Sequence, residues 1–441
     1  MNNTRNTQTN NKKPTLQEQL AKRKFKLPNR VVYFLYFFIM TYLVSPKYKP
    51  HYVIEDDIND CDGPCFLIWN HLSRLDHLYC MRAAWPRRLN ILAGYNEFFR
   101  SHLHLVFKLN QILPKKNYTQ DIAGMKAMNS ILKKGGCVCF APEGMSSIYG
   151  TNQPIIPGTG HLFKHYRLPV YFLEMRGQYL TNTKCNLDER SGYTRATMKL
   201  LFTPEQLDEL SGEEIDARID EVFRHDEYAW NKQVRVPYKS RGRQCEHLEE
   251  ICFRCPRCGA DLTMKGEGMK IRCTACGNGA ATNDCYDFLP FDDSCRIPES
   301  PSKWVEWERA QIIREIRADA AYSYTEHVTL GEIPTDHLIP GKKSAELCGE
   351  GLFTVDHEGL HFRGTRHGAP VAYDFDYKTV FSLIIVTDTT NFSLYYKGEY
   401  LEFTPETPSV GKLLLLTEEM HRLHENSWKN FPWNAWMYEE N

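Results

Sequence analysis

The sequence has almost no net charge: 54 lysines and arginines stand against 55 aspartates and glutamates in 441 residues. A chain this balanced has no bulk attraction to nucleic acid or to an acidic partner. No cleavable leader is expected of it either. Its first apolar run begins only at Val31, after a polar stretch, and no small-residue cleavage site follows it. No internal repeat is found. Long hydrophobic runs are missing too. The stretch Val31 to Val44, taken as a helix at about 1.5 Å per residue, reaches only about 20 Å. That is short of the roughly 30 Å hydrocarbon core of a bilayer.

What is present divides the chain. Apolar and charged fractions are ordinary for a globular protein. Residues 1–27 are predicted to be a disordered, basic N-terminus, with Lys12, Lys13, Lys22, Arg23, Lys24 and Lys26 crowded together. Residues 28–46 are predicted to form a membrane-associated helix. Its aromatic residues and basic flank suit a helix dipping into one leaflet, monotopic or peripheral, against anionic headgroups. A buried core helix is the plain alternative. From 47 to 240, short apolar runs alternate with helical stretches, which predicts an α/β domain. Phe66–Trp69, Cys137–Phe140 and Pro169–Leu173 are its strand candidates, and Ser211 with Glu214 forms a capping-box pair. Residues 240–250 read as a linker.

Fifteen cysteines might suggest disulfides, but several stand in Cys-x-x-Cys pairs, which are metal ligands in a reducing compartment. A cytoplasmic location follows. Cys255 and Cys258 form one pair, Cys273 and Cys276 the other, each followed by glycine. Two such knuckles predict a zinc ribbon over 250–290, with a closed, structural Zn2+ site. Its basic bias is mild and aromatics for base stacking are few, so no nucleic acid is expected. A helix from Trp304 to Arg317 opens the last region, 300–427. Strands at Leu352–Val355, Leu383–Val386, Leu394–Tyr396 and Tyr400–Phe403 follow, then a final helix. This β-rich region looks similar to a small PH- or GRAM-like barrel closed by a helix. Ribbon and β domain are candidate docking sites for a protein partner.

The chemistry concentrates in Asn70-His71-Leu72-Ser73-Arg74-Leu75-Asp76, directly after the Phe66–Trp69 strand. A hydroxyl is a weak nucleophile at neutral pH, and a histidine steadied by a carboxylate can take its proton. Five residues on a straight helix would set the pair about 140° apart. The pair therefore works only with His71 on the loop and Asp76 in the first helical turn. Ser73 is the expected cap of a helix starting at Arg74. Asp76 as a mere cap, with His71 an ordinary loop residue, is the competing explanation. Company at the right places favours the catalytic pair. Phe140-Ala141-Pro142-Glu143-Gly144 follows a second strand, and Pro169-Val170 opens a third.

In the order and separation of these blocks the sequence resembles the glycerolipid acyltransferases, the lysophospholipid or 1-acylglycerol-3-phosphate acyltransferase type. The resemblance covers roughly residues 30 to 235. It implies an acyltransferase-type α/β domain with His71 as general base and Asp76 as its orienting partner. Glu143, Gly144, Ser73 and Arg74 would then line the acceptor site. The family's phosphate-binding block falls on Lys115 and Lys116, which supply charge without a bidentate fork. Where the family has Thr-Arg-Ser after Glu-Gly, this chain has Met145-Ser146-Ser147, so the phosphate-facing arginine is gone. The implied donor is acyl-CoA or acyl-carrier protein, the acceptor a lysophospholipid or related lipid, and the location the cytoplasmic membrane face. Amides after His71 are the expected oxyanion donors. The alternative is a weakly active or inactive membrane adaptor that works through its ribbon and β domain.

Overall fold

The computed structural model describes residues 14–425 except 387. Residues 1–13 of the predicted disordered segment lie outside that range. From Thr15 onward the segment is folded. Thr15 and Glu18 form a capping box that opens α1 (Leu16–Ala21). Phe25 is buried with the Arg23 guanidinium over its ring, and the Lys134 ammonium donates to the Phe25 carbonyl at 2.7 Å. One buried aromatic and a few backbone contacts thus order a stretch whose charge suggests disorder.

Asn29 caps α2 (Arg30–Phe38), accepting from the amides of Val31 and Val32. The run continues as a π-helical turn (Ile39–Val44) and a 3-10 turn (Ser45–Tyr48). At 19 residues, Arg30–Tyr48 is long and apolar enough to cross a membrane by length and composition, which corrects the shorter reach expected from the sequence. The inner face is nonetheless committed to the domain. Phe37 stacks on Trp85 at 4.0 Å, Tyr33 is buried, and the Tyr36 hydroxyl lies 3.0 Å from His77 Nε2. The outer face is bare: Val31, Leu35, Tyr42 and Leu43 are each more than half exposed.

The first sheet has seven strands: β1 (Pro50–Ile54), β2 (Cys65–Trp69), β3 (Leu89–Gly94), β4 (Leu113–Lys115), β5 (Cys137–Phe140), β6 (Val170–Arg176) and β7 (Thr194–Phe202). Their order is β1-β7-β6-β2-β5-β3-β4. Strands β6, β2, β5, β3 and β4 run parallel, and β7 pairs antiparallel to β6. Every residue of β2 is buried, as a central parallel strand covered on both faces requires. The covering helices are α3 (Asp76–Ala83), α4 (Ser101–Leu109), α5 (Ile122–Leu132), α6 (Thr159–Tyr166), α7 (Gln178–Thr181), α8 (Pro204–Glu209), α9 (Gly212–Phe223) and α10 (Glu227–Val234). The Ser211–Glu214 capping box opens α9 as predicted.

A four-stranded antiparallel sheet follows: β8 (Met264–Glu267), β9 (Lys270–Cys273), β10 (Gly279–Thr282) and β11 (Phe288–Pro290). Then come α11 (Pro301–Ala318) and a second seven-stranded sheet, wholly antiparallel. Its strands are β12 (Ser323–Glu332), β13 (Glu346–Asp356), β14 (Leu360–Arg366), β15 (Ala369–Phe375), β16 (Ile384–Ile385), β17 (Phe392–Tyr396) and β18 (Glu399–Pro405). The predicted Lys397–Gly398 turn joins β17 to β18. Among the described residues no ladder joins β15 to β16, so the sheet is open where a closed barrel is expected. The final helix, α12 (Val410–His424), is buried from Val410 through Arg422. A Cβ on Gly411 would meet the Glu250 carbonyl at 2.3 Å, so the chain passes α12 at backbone contact. The expected linker 240–250 is therefore packed, with Cys245 fully buried. One apolar core joins Met145, Ile148 and Tyr149 of the α/β domain to the cysteine-rich segment and the second sheet.

Candidate active site

Strands β2 and β5 lie side by side in parallel register, Ile68 beside Phe140. Their carboxyl ends therefore deliver the His71 loop and the Glu143 loop to the same edge, where open α/β sheets place ligands. Strand β6 flanks β2 on the other side. Asn70 zips onto it, accepting from the Met175 amide at 2.7 Å and donating to the Met175 carbonyl at 2.9 Å. Residue 71 thus starts from an anchored position.

His71 Nδ1 lies 2.8 Å from Asp76 Oδ2. The Asp76 side chain is 1% exposed, that of His71 26%. The carboxylate also accepts from the Leu72 and Ser73 amides and from the Ser73 hydroxyl at 3.0 Å. The helix begins at Asp76 itself, two residues later than expected, and Ser73 does not cap it. The carboxylate has drawn Ser73 inward, because a buried anion gains more from several donors than a helix end gains from one. The same bonds occupy the amides expected to face an oxyanion. Leu72 and Ser73 point their N–H groups at Asp76.

Glu143 and Gly144 are expected on the acceptor site, but neither lines the cavity beside His71. Glu143 is fully buried behind the histidine loop. One oxygen accepts from the His71 amide at 2.6 Å, the other from the Gln153 amide at 2.6 Å. Burial pushes its carboxyl up to about 8, against the pull of those two amides. The Ser147 amide donates to the His71 carbonyl at 2.7 Å. Both backbone groups of His71 are therefore held by the Glu-Gly-Met-Ser-Ser turn. Gly144 takes φ +78°, and a Cβ there would press on Ile156 and Tyr118.

The cavity measures about 1030 Å3. His71, Ser73, Arg74 and Asp76 line it. Its apolar end runs beneath Tyr36 and Met40 of the long helix and beside Leu103, Val106 and Phe107 of α4. Its other end opens between the α/β domain and the second sheet. Lys115 and Lys116 are absent from its walls. Lys115 turns back to the Lys116 carbonyl, and Lys116 donates to the Gly398 carbonyl while lying over Tyr95 and Tyr395. The block expected to bind phosphate instead ties the two domains together. Cations that do line the cavity include Arg74, Arg100 and Lys184. Lys184 sits in an irregular loop with no periodic or motif signal, so sequence patterning has no means of finding it.

The Sγ atoms of Cys255, Cys258, Cys273 and Cys276 lie within 4.8 Å of one another. Gly259 and Gly277 carry positive φ, and their amides donate back to the Cys255 and Cys273 carbonyls, closing two tight knuckles. Asn278 Nδ2 approaches the Cys255 sulfur at 3.5 Å. Four thiols converging on one point could hold a metal ion, and all fifteen cysteines are free of disulfides. Glu332, Cys348 and His367 also converge, but Arg366 already neutralises Glu332.

Residues 47–173 match the Acyltransferase family model. No curated protein matches the chain. Among solved structures, the 1-acyl-sn-glycerophosphate (LPA) acyltransferase PlsC from Thermotoga maritima is similar at 16% identity, with a TM-score of 0.36. That likeness covers 46% of this chain and 78% of the other.

Proposed function

We propose that this chain transfers a fatty acyl group from a thioester, acyl-CoA or acyl-carrier protein, to the hydroxyl of a lysophospholipid or related lipid at a membrane surface. The observation that carries this is the 2.8 Å contact between His71 Nδ1 and the buried Asp76 carboxylate on the wall of the large cavity. With Nδ1 engaged, Nε2 is the nitrogen left for chemistry. The acceptor hydroxyl oxygen attacks the thioester carbonyl carbon, and its proton passes to His71 Nε2. The tetrahedral intermediate collapses with cleavage of the C–S bond. The imidazolium then returns the proton to the departing thiolate, and Asp76 stabilises the cation in between.

The apolar end of the cavity suits a lipid chain. The bare outer face of Arg30–Tyr48 suits burial in a headgroup and acyl boundary, with the helix lying along the membrane because its inner face is packed on the domain. Free thiols throughout suit the cytoplasmic side. The four-cysteine site is assigned structural Zn2+, since four thiolates leave no open position for catalysis.

Purified protein supplied with labelled acyl-CoA and a panel of lysolipids is expected to form acylated product. His71→Ala should lower kcat by roughly 100- to 10,000-fold with its thermal unfolding unchanged. No product from any acceptor would favour an adaptor role. Product formed at an undiminished rate by the variant would remove His71 as the base.

A further inference from the structure

The loop between β12 and β13 leaves its own sheet and crosses to the α/β domain. The Ser101 amide donates to the Ile339 carbonyl at 2.9 Å, and the Ile339 amide donates to the Phe99 carbonyl at 2.8 Å. Arg100 adds a hydrogen bond to the Lys342 carbonyl. This docking holds Lys342 and Lys343, both exposed, at the wall of the cavity that contains His71. On the wall belonging to the α/β domain stand Arg74, Asn182 and Lys184.

Two observations on that wall are independent. The Lys184 ammonium faces Ser146, 3.1 Å from its hydroxyl, and among the described residues no carboxylate is in bonding range. Asn182 is 4% exposed, and its Nδ2 has no hydrogen-bond partner. A buried amide donor without an acceptor carries a desolvation cost that a ligand oxygen would relieve. Burial lowers the Lys184 amine to about 8 against the pull of Glu97, and an anion placed beside it would raise it again.

The acidic groups on the same walls are already engaged. Glu97 receives two bonds from Arg100, at 3.0 and 2.8 Å. Glu402 accepts from the Ser344 and Tyr400 hydroxyls, and burial raises its carboxyl. Asp388 accepts from the Thr390 hydroxyl at 2.6 Å. Among the described residues Lys184, Lys342 and Lys343 make no ion pair, so these three cations on the two walls remain available to a ligand.

We infer that this inter-domain end of the cavity binds the phosphate-bearing part of a substrate, with Lys184 and Asn182 on one wall and Lys342 and Lys343 of the β domain on the other. The β domain is then part of the substrate site rather than an appendage to it. The inference takes its ligand class from the transferase reading, and two sources share the chemistry: the acceptor's headgroup and the phosphates of the donor's carrier.

Binding without turnover separates the sources, and also separates this inference from the reaction itself. Full-length protein is titrated with coenzyme A and, separately, with lysophosphatidate in neutral detergent, neither of which can react alone. Lys184→Ala and the double variant Lys342→Ala/Lys343→Ala are each expected to weaken one probe about 10-fold, and Lys184→Arg to restore it. Loss confined to lysophosphatidate assigns the site to the acceptor, and loss confined to coenzyme A assigns it to the donor. Affinities for both probes unchanged in both variants would overturn the inference, even in a protein that proves an active transferase. The loop pair is exposed, so the double variant keeps the test decisive should Lys184→Ala fail to fold.

Discussion

Glu143 has two oxygens and two backbone amides to satisfy, one on each. A glutamine offers a single acceptor, so in Glu143→Gln an NH2 group must face an N–H. One of the two amides, His71 or Gln153, then loses its partner inside the protein. That should cost about 1–3 kcal/mol in denaturant unfolding. It should also lower kcat more than it raises KM, since Glu143 acts through the position of His71 and lies off the cavity wall. An unchanged kcat in a destabilised protein would restrict Glu143 to folding. At this scale the His71–Asp76 pair was legible because five residues separate its members and a loop-to-helix transition is a local event. Lys184 was illegible because its importance comes from Ser146, thirty-eight positions away. The roles expected of Lys115 and Lys116 failed for the same reason. Nothing within the block reveals that Gly398 and Tyr395 of another domain take hold of Lys116.

Elements were readable wherever their signals are short-ranged. The Ser211–Glu214 box, the apolar β2 and β5 runs and the Lys397–Gly398 turn each rest on a few consecutive residues. The end of the long helix was not readable. Ser45-Pro46 is a stop signal, yet Pro46 enters the first turn of a 3-10 helix, a position that needs no amide donor. The outer stripe of this helix gives a direct test. Leu35→Asp with Leu43→Asp places two charges on a face that is more than half exposed. The variant should fold normally and lose most of its sedimentation with anionic vesicles. Retained sedimentation would move the anchor to another surface, α4 being the next exposed apolar helix. In the cysteine-rich sheet, two knuckles must be held together across strands of three or four residues, too little surface for a core of its own. About one zinc per chain is therefore expected by metal analysis. Chelation or Cys273→Ser should remove it and lower the thermal midpoint, and a metal-free protein of undiminished stability would refute the assignment.

At the scale of the whole molecule the segments are joined. Regions that look like separate units along the chain share one core, because residues such as Tyr149, Ile251, Trp304 and Leu415 meet only in three dimensions. The terminal helix looks like a lid in sequence, with apolar residues at a few positions, but it is enclosed along most of its length. Arg309 on α11 sits at the junction. Its guanidinium donates to Glu418 at 2.7 Å and Glu419 at 2.6 Å on α12, and to the Tyr149 hydroxyl at 2.9 Å in the loop after the Glu-Gly turn. Arginine and both glutamates are at most 1% exposed. Removing one member of such a group strands a charge away from water, at about 3–5 kcal/mol.

Because Arg309 reaches α12 on one side and Tyr149 of the α/β domain on the other, a disturbance at any one of the three regions is felt as lost stability in the other two.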